Sequence, residues 1–152
     1  MHDLSSDSRR SRIFVVDDEW IIAESLAALL EKNGFRAQAF HNPGQALVRA
    51  MDSPPDVLIS DVMMPGMTGL ELAVSLRRAG NPCRILLVSG QSDAAEMVGQ
   101  ARRQGYRFEL LSKPLNLMRL LLRLRHMGRP AASQHLLPRD AVAAVQALSR
   151  PA

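Results

Sequence analysis

The sequence has little cysteine, little lysine and few aromatic residues. Its 152 residues contain one cysteine, one tryptophan and one tyrosine. A single cysteine excludes a disulfide within the chain and a metal site built from several thiolates. Residues 1–12 are polar and lack the apolar core of a signal peptide, so we expect a cytoplasmic protein. No uncharged apolar run reaches the ~20 residues that a membrane-spanning helix needs, and we expect no membrane association.

Lysine is rare although the chain is basic. Of nineteen basic residues only Lys32 and Lys113 are lysine, and the formal net charge is +4. Several arginines lie near the chain ends and no basic patch is interleaved with aromatic residues, so the charge is weak support for nucleic-acid binding. Nearly every other basic residue is arginine, yet position 113 is a lysine. This choice indicates a site that needs a compact ammonium group.

An apolar run that ends in a carboxylate is the most informative stretch. Residues 57–61 read Val-Leu-Ile-Ser-Asp, and Pro65-Gly66 follows shortly after. Such a run predicts a strand that is buried on both faces, as in parallel sheets. Ligand sites lie at the carboxyl ends of such strands, which makes Asp61 a candidate site residue. The alternative is that Asp61 only caps the turn.

Apolar strands and amphipathic helices alternate five times along the chain. The pattern predicts strands at 12–16, 35–40, 57–61, 85–88 and 108–112, and helices at 20–32, 42–51, 69–79, 92–104 and 115–127. This alternation calls for an α/β fold, a parallel sheet with helices on both faces. In the first helix we expect Ile22, Leu26, Leu29 and Leu30 to form the core-facing stripe. We expect Asn42 and Ser92 to cap the second and fourth helices.

The domain is expected to occupy residues 12–127. Residues 1–11 are predicted to be a flexible leader. Residues 128–152 are predicted to be a mostly irregular tail with a short helix near 140–148. A tail of this length is too short to bury a core of its own.

Functional side chains follow four of the predicted strands. Asp17 and Asp18 end the first strand, Asp61 the third, Ser89 the fourth and Lys113 the fifth. The carboxyl ends of parallel strands share one edge, so these groups can converge. Crowded carboxylates repel one another, and oxygen ligands without clustered His or Cys favour Mg²⁺, with Mn²⁺ as the alternative ion.

Such a set of groups is suited to phosphoryl transfer. An Asp carboxylate can accept a phosphoryl group covalently, while a cation, an ammonium and a hydroxyl share the charge on the phosphoryl oxygens. Each residue also has an ordinary structural role. Asp17 and Asp18 can form a solvated turn, Ser89 can cap a turn, and Lys113 can pair on the surface.

Four motifs resemble the receiver domain of bacterial two-component response regulators. They are FVVDDE at 14–19, ISDVMMPGMTGLEL at 59–72, LLVSG at 86–90 and LSKP at 111–114. The resemblance covers about residues 12–127. It implies a flavodoxin-like, doubly wound five-stranded sheet of order 2-1-3-4-5, as in the CheY-like superfamily.

The resemblance also implies the site roles. Asp61 would be phosphorylated by a histidine kinase or a phosphotransfer protein. Asp18, Asp61 and the backbone carbonyl of Met63 would bind Mg²⁺, with Asp17 supporting the metal largely through water. Ser89 and Lys113 would contact the phosphoryl group. The family catalyses only its own phosphorylation and dephosphorylation, and its output is a conformational change, so we expect a signalling protein rather than an enzyme.

The fifth strand departs from the family pattern. Relatives commonly carry Tyr or Phe three residues before the lysine, and this chain has Leu110. Leu110 can act as a switch residue together with Ser89 by changing its packing. It has no hydroxyl group, so it cannot exchange one hydrogen bond for another. Tyr106 and Phe108 share a face of the extended strand and are candidate substitutes, although packing is their simpler role.

The last predicted helix is unusually apolar. Met118 and Leu122, beside Arg125, make its apolar arc wider than a single contact with the core requires. The wider arc predicts a partner or homodimer surface, which the preceding helix and strand would share. A deep-set helix, covered by the tail, is the alternative. No helix-turn-helix follows, so we expect a stand-alone receiver that acts through protein contacts without binding DNA.

Two other functions fit parts of the sequence. One is an interaction domain with a vestigial phosphorylation site, for which Leu110 leaves room. The other is a Mg²⁺-dependent aspartyl phosphatase of the haloacid-dehalogenase type. That family has a second Asp two residues after the nucleophile, where this chain has Met63, which disfavours it.

Overall fold

A computed structural model gives the structure of the protein and describes residues 10–127. Most of the predicted leader (residues 1–9) and the whole predicted tail with its short helix (128–152) lie outside the described residues. Strands and helices alternate as the sequence predicts. In chain order they are β1 (Arg12–Val16), α1 (Trp20–Lys32), β2 (Arg36–Phe40), α2 (Pro43–Asp52), β3 (Val57–Asp61), α3 (Gly69–Arg78), β4 (Arg84–Ser89), α4 (Asp93–Arg103), β5 (Glu109–Ser112) and α5 (Leu117–Met127).

All five strands form one parallel sheet in the order β2-β1-β3-β4-β5. β3 lies in the centre, and its first four residues are buried, as expected for a strand covered on both faces. β1 pairs with β2 and β3, and β4 pairs with β3 and β5. The predicted flavodoxin-like, doubly wound fold is confirmed.

The two faces of the sheet carry separate apolar cores. Phe14, Leu58 and Leu87 point to one face, where they pack with the buried residues of α2, α3 and α4. Ile13 and Ile59 point to the other face, which α1 and α5 cover. Successive side chains of a strand alternate between faces, so the continuous apolar runs supply both cores.

The predicted core stripe of α1 is partly wrong. The buried residues of α1 are Ala23, Ala27 and Leu30, whereas Ile22 and Leu29 are 39% and 40% exposed. The helix turns its alanines to the sheet, which allows a close approach, and leaves two larger side chains at its flank.

Of the two predicted capping residues, one caps its helix and the other does not. Asn42 caps α2, because its side chain accepts a hydrogen bond from the Gln45 N–H at 3.2 Å. Ser92 precedes α4 but its side chain makes no capping bond, so that prediction is wrong. With φ −64° and ψ −31° Ser92 already has helical geometry, whereas a capping residue needs extended geometry.

None of the helices in residues 10–127 combines the length and apolarity that a bilayer crossing requires.

Candidate functional site

Three carboxylates meet at the carboxyl edge of the sheet. Asp17 and Asp18 follow β1, and Asp61 is the last residue of β3, the neighbouring strand. One carboxylate oxygen from each residue lies within 4.8 Å of the others. Asp17 is buried, Asp61 is partly buried and Asp18 is exposed. The cluster therefore opens to solvent on the side of Asp18.

The deepest of the three acids is Asp17, which is 4% exposed. Burial raises the pKa of this carboxyl group, although a hydrogen bond from the backbone of Glu19 and the charge of Lys113 oppose that change. The Glu19 N–H donates to Asp17 Oδ1 at 3.0 Å. This bond fixes the turn that brings Asp18 towards Asp61.

Lys113 supplies a positive charge to the cluster. Its Nζ lies 3.3 Å from Asp61 Oδ2 and 3.5 Å from Asp17 Oδ2. Burial by itself lowers the pKa of Lys113, but Asp61 and Asp17 outweigh burial, and the pKa lies above its ordinary value. Because the amine stays protonated, it offsets one of the three carboxylate charges.

The remaining charge suits a divalent cation. Three carboxylates against one ammonium leave an excess of negative charge, and the grouped donors are all oxygen atoms. Hard oxygen ligands with access to solvent are what Mg²⁺ uses, since it keeps several waters. The residues present therefore fit a Mg²⁺ ion.

Ser89 reaches the same edge but is held in a turn. It is buried at the end of β4, and its Oγ accepts a hydrogen bond from the Gln91 N–H at 3.0 Å. Its backbone carbonyl accepts from the Lys113 N–H at 2.9 Å, which couples the ends of β4 and β5. Met63 contacts Asp61 through its backbone, its N–H donating to Asp61 Oδ1 at 3.4 Å.

Of the residues predicted for the switch, Ser89 ends β4 and Leu110 lies in β5, and the candidate substitutes Tyr106 and Phe108 precede β5. Leu110 is half-buried and packs into the core of α3 and α4. Tyr106 stacks on buried Phe108 with ring centroids 6.4 Å apart, and its hydroxyl accepts a hydrogen bond from Arg78 Nε at 3.2 Å. Both aromatic residues thus have packing roles in this structure.

The predicted partner residues of α5 are exposed. Met118 and Leu122 expose 66% and 53% of their surface, and Arg125 is exposed as well. Arg123 forms an ion pair with Glu109 on β5. At 100° per residue, Met118, Leu122 and Arg125 all point at least 100° away from Arg123. The exposed patch is therefore turned away from β5 rather than shared with it.

One residue beside Asp61 was missed by the sequence analysis. Ser60 is fully buried, and its hydroxyl donates to the Asp61 carbonyl at 2.9 Å. The available signal was a hydroxyl residue inside an otherwise apolar buried strand. A buried hydroxyl needs a hydrogen-bond partner, and the adjacent Asp61 was a candidate for that partner.

Comparison with known proteins assigns the family. Residues 13–125 match the family model described as the response regulator receiver domain. Response regulator MprA of Mycobacterium ulcerans and of Mycobacterium tuberculosis is 36% identical over 118 residues, which are 78% of this chain and 50% of the relative. The chain thus spans about half the length of these curated relatives.

Solved structures agree with this assignment. The chemotaxis protein CheY4 of Vibrio cholerae is 27% identical with a TM-score of 0.68, covering 78% of this chain and 98% of that one. The response regulator TrrA of Thermotoga maritima is 28% identical with a TM-score of 0.67, covering 77% and 98%. With its fold, its acidic cluster and these similarities, the chain belongs to the receiver domain family of two-component response regulators.

Proposed function

We propose that this receiver domain accepts a phosphoryl group on Asp61 from a histidine kinase or a phosphotransfer protein. The observation that carries the proposal is the position of the Asp61 carboxylate, grouped with two further acids and 3.3 Å from the Lys113 ammonium. A carboxylate beside a fixed cation can act as a nucleophile towards phosphorus while the cation receives the developing charge.

The phosphoryl transfer needs no reactant besides the phosphorylated histidine of the donor and Asp61. An Asp61 carboxylate oxygen attacks the phosphorus atom, an O–P bond forms, and the P–N bond to the donor histidine breaks. The electron pair of the broken bond goes to the imidazole nitrogen, and a proton on the other ring nitrogen lets the imidazole leave uncharged. Lys113 then donates hydrogen bonds to a phosphoryl oxygen instead of to the Asp61 carboxylate.

Asp18, Asp61 and the Met63 carbonyl would hold Mg²⁺, with Asp17 supporting it through water. Bound there, Mg²⁺ would neutralise charge on the carboxylates and on the phosphoryl oxygens. The donor set supports this assignment, as does the related TrrA structure, which is described as a complex with Mg²⁺ and BeF.

Phosphorylation would be read out through Ser89 and β5. The Ser89 hydroxyl, which accepts from Gln91, would turn to donate to a phosphoryl oxygen. That movement would leave space next to β5, where the half-buried side chain of Leu110 has no hydrogen bond to lose. The switch would therefore be a repacking of Leu110, with Tyr106 kept in place by Arg78.

Met118, Leu122 and Arg125 on α5 would form part of a protein-contact surface. Large exposed apolar side chains next to a base suit an amphipathic partner with acidic residues. A homodimer through the last helix is the alternative use of the same surface. Because the chain spans half of its curated relatives, the absence of DNA binding stays a prediction.

The aspartyl phosphatase alternative gains no support from the structure. Met63 stands where that chemistry needs a second Asp, and the side chain of Met63 is 41% exposed. The vestigial-site alternative is disfavoured by the grouped carboxylates and Lys113, which a site without function has no reason to keep together.

The test is to incubate the protein with Mg²⁺ and a small phosphodonor such as acetyl phosphate. We expect one acid-stable, base-labile phosphoryl adduct, which Asp61→Asn abolishes. Asp52→Asn is the matched control, because Asp52 lies on α2 with an exposed side chain and is not part of the cluster. An adduct that persists in Asp61→Asn, or a wild-type chain that gains none, would contradict the proposed function.

A further inference from the structure

Ser60 is a hydroxyl residue enclosed in the centre of the sheet. It precedes Asp61 on β3, has no exposed surface, and donates through Oγ to the Asp61 carbonyl at 2.9 Å. The hydrogen bond from this buried hydroxyl to the partly buried Asp61 fixes the local backbone, because breaking it would leave the hydroxyl unpaired.

The Asp61 carbonyl has this partner because the β1 ladder ends one residue earlier. The register of β1 on β3 ends at the pair Val16 and Ser60. Beyond this pair the Asp17 N–H is directed to β2, where it donates to the Phe40 carbonyl at 3.1 Å. The Ser60 hydroxyl therefore takes over at the point where the sheet stops supplying donors to β3 on that side.

Gly69, the first residue of α3, packs closely against the hydrogen bond between Ser60 and Asp61. A Cβ atom at position 69 would lie 2.0 Å from the Asp61 carbonyl oxygen and 2.9 Å from Ser60 Oγ, closer than real contacts allow. The Gly69 N–H donates to the Val62 carbonyl at 2.8 Å, and the Val62 N–H donates to Val88 at 3.0 Å. The Asp61–Val62 peptide is thus held by Ser60 and by β4, and the Gly69 N–H holds the peptide that follows it.

We propose that Ser60 is a positioning residue for phosphoryl transfer to Asp61. Its hydroxyl sets the orientation of the Asp61–Val62 peptide, and this orientation sets the direction in which the Asp61 carboxylate leaves the strand towards Lys113. The inference rests on the proposed function of Asp61. Reactive groups must be held within fractions of an ångström, so a small rotation of this peptide slows transfer.

The experiment measures phosphorylation of the full chain by acetyl phosphate at saturating Mg²⁺. In Ser60→Ala the methyl group cannot donate, so the Asp61 carbonyl loses the hydrogen bond from Ser60 Oγ. We expect the maximal rate to fall about tenfold, while the half-saturating phosphodonor concentration stays unchanged. Ser60→Thr, which keeps the hydroxyl, should recover most of the rate.

Ile85→Val on β4 is the control for lost stability. Ile85 is buried in the same sheet but makes no contact with the Asp61 carbonyl, so its truncation should leave the maximal rate unchanged. A folded Ser60→Ala protein with the wild-type rate would overturn the inference. A rate loss of the same size in Ile85→Val would overturn it as well, since general destabilisation would then explain the effect.

Failure of the inference can be told apart from failure of the proposed function. If the wild-type chain gains an adduct that Asp61→Asn abolishes, and Ser60→Ala reacts normally, only the role of Ser60 is wrong. If the wild-type chain gains no adduct, both are wrong. Should Ser60→Ala fail to fold, Ser60→Cys, which keeps the size and weakens the donor, is measured by the same criteria.

Discussion

Lys113 is the residue on which the charge balance of the site depends. It contacts Asp61 and Asp17 from the end of β5, two strands away from β3 in the sheet. Without this ammonium the three carboxylates would repel one another with only solvent between them. An arginine would carry the same charge but in a planar fork with a different reach, which accounts for lysine at this position in an arginine-rich chain.

Cys83 is a second residue whose environment has a measurable effect. It is buried, and burial raises the pKa of its thiol to about 11 although Arg77 opposes this shift. The thiol of the unfolded chain ionises near pH 9, whereas that of the folded chain stays protonated until about pH 11. The stability that the protonated thiol contributes is therefore present below pH 9 and is lost as the pH rises towards 11.

We predict that, between pH 9 and about pH 11, the free energy of unfolding falls more steeply in the wild type than in Cys83→Ala. The extra fall should be at most about 3 kcal/mol, measured by denaturant unfolding at several pH values. The variant is the right reference because it shares every other ionisable group with the wild type. Identical pH profiles would show that the thiol ionises alike in both states.

At the scale of single elements, the strands were the most predictable part of the fold. Three of them, β1, β3 and β4, contain continuous apolar runs, and a polar residue stands at or directly after the carboxyl end of every strand. A parallel sheet brings those ends together whatever the intervening sequence is. This is why Asp17, Asp18, Asp61 and Lys113 could be placed side by side from the sequence, with Ser89 close by.

Helix orientation was less predictable, as α1 demonstrates. Most residues of α1 are apolar, so several choices of core-facing stripe fit the pattern equally well. Packing on the sheet decides between them, and here it selects the face with Ala23 and Ala27 rather than the face with Ile22 and Leu29. Ser60 was visible in the sequence as a hydroxyl inside an apolar strand, but only the fold shows how closely Gly69 of α3 approaches it.

The two helix starts differ in energy as well as in geometry. Asn42→Ala removes the hydrogen bond from the Gln45 N–H, so we expect a loss of about 1 kcal/mol and a fall of roughly 2–4 °C in Tm. Ser92→Ala removes no capping bond and should change the free energy of unfolding by a few tenths of a kcal/mol at most.

Thermal unfolding of the two variants side by side checks this expectation. Equal losses would mean that Ser92 caps α4 in solution despite its helical backbone geometry.

At the scale of the whole molecule, the apolar residues divide into those that fold the domain and those left for contacts. Leu120, Leu121 and Leu124 of α5 are buried against the sheet, whereas Met118 and Leu122 are exposed. Exposed apolar side chains contribute little to folding because they remain in water in both states. Their presence on one side of α5 is therefore better explained by a protein contact.

We predict that Met118→Gln combined with Leu122→Gln changes the free energy of unfolding by less than about 0.5 kcal/mol. By contrast, Leu121→Gln places an amide in the core and should cost more than about 2 kcal/mol. Denaturant unfolding of the three proteins measures both effects. A large loss in the double variant would mean that the patch stabilises the fold and is not reserved for a partner.

The family is established by the match over residues 13–125 and the fold by the described residues 10–127, while several predictions about the whole protein stay predictions. The cytoplasmic location and the absence of DNA binding stay predictions. The 118 matched residues make up half the length of these curated relatives. The site itself does not depend on these points, because every residue in it lies within the receiver domain.

The most direct measurement is to trap the phosphorylated residue chemically. After reaction with acetyl phosphate and Mg²⁺, borohydride reduces an aspartyl phosphate to homoserine, which mass spectrometry locates in the chain. The account predicts homoserine at position 61 alone, and none when Mg²⁺ is removed by a chelator. Homoserine at position 17 or 18, or at no position, would contradict it.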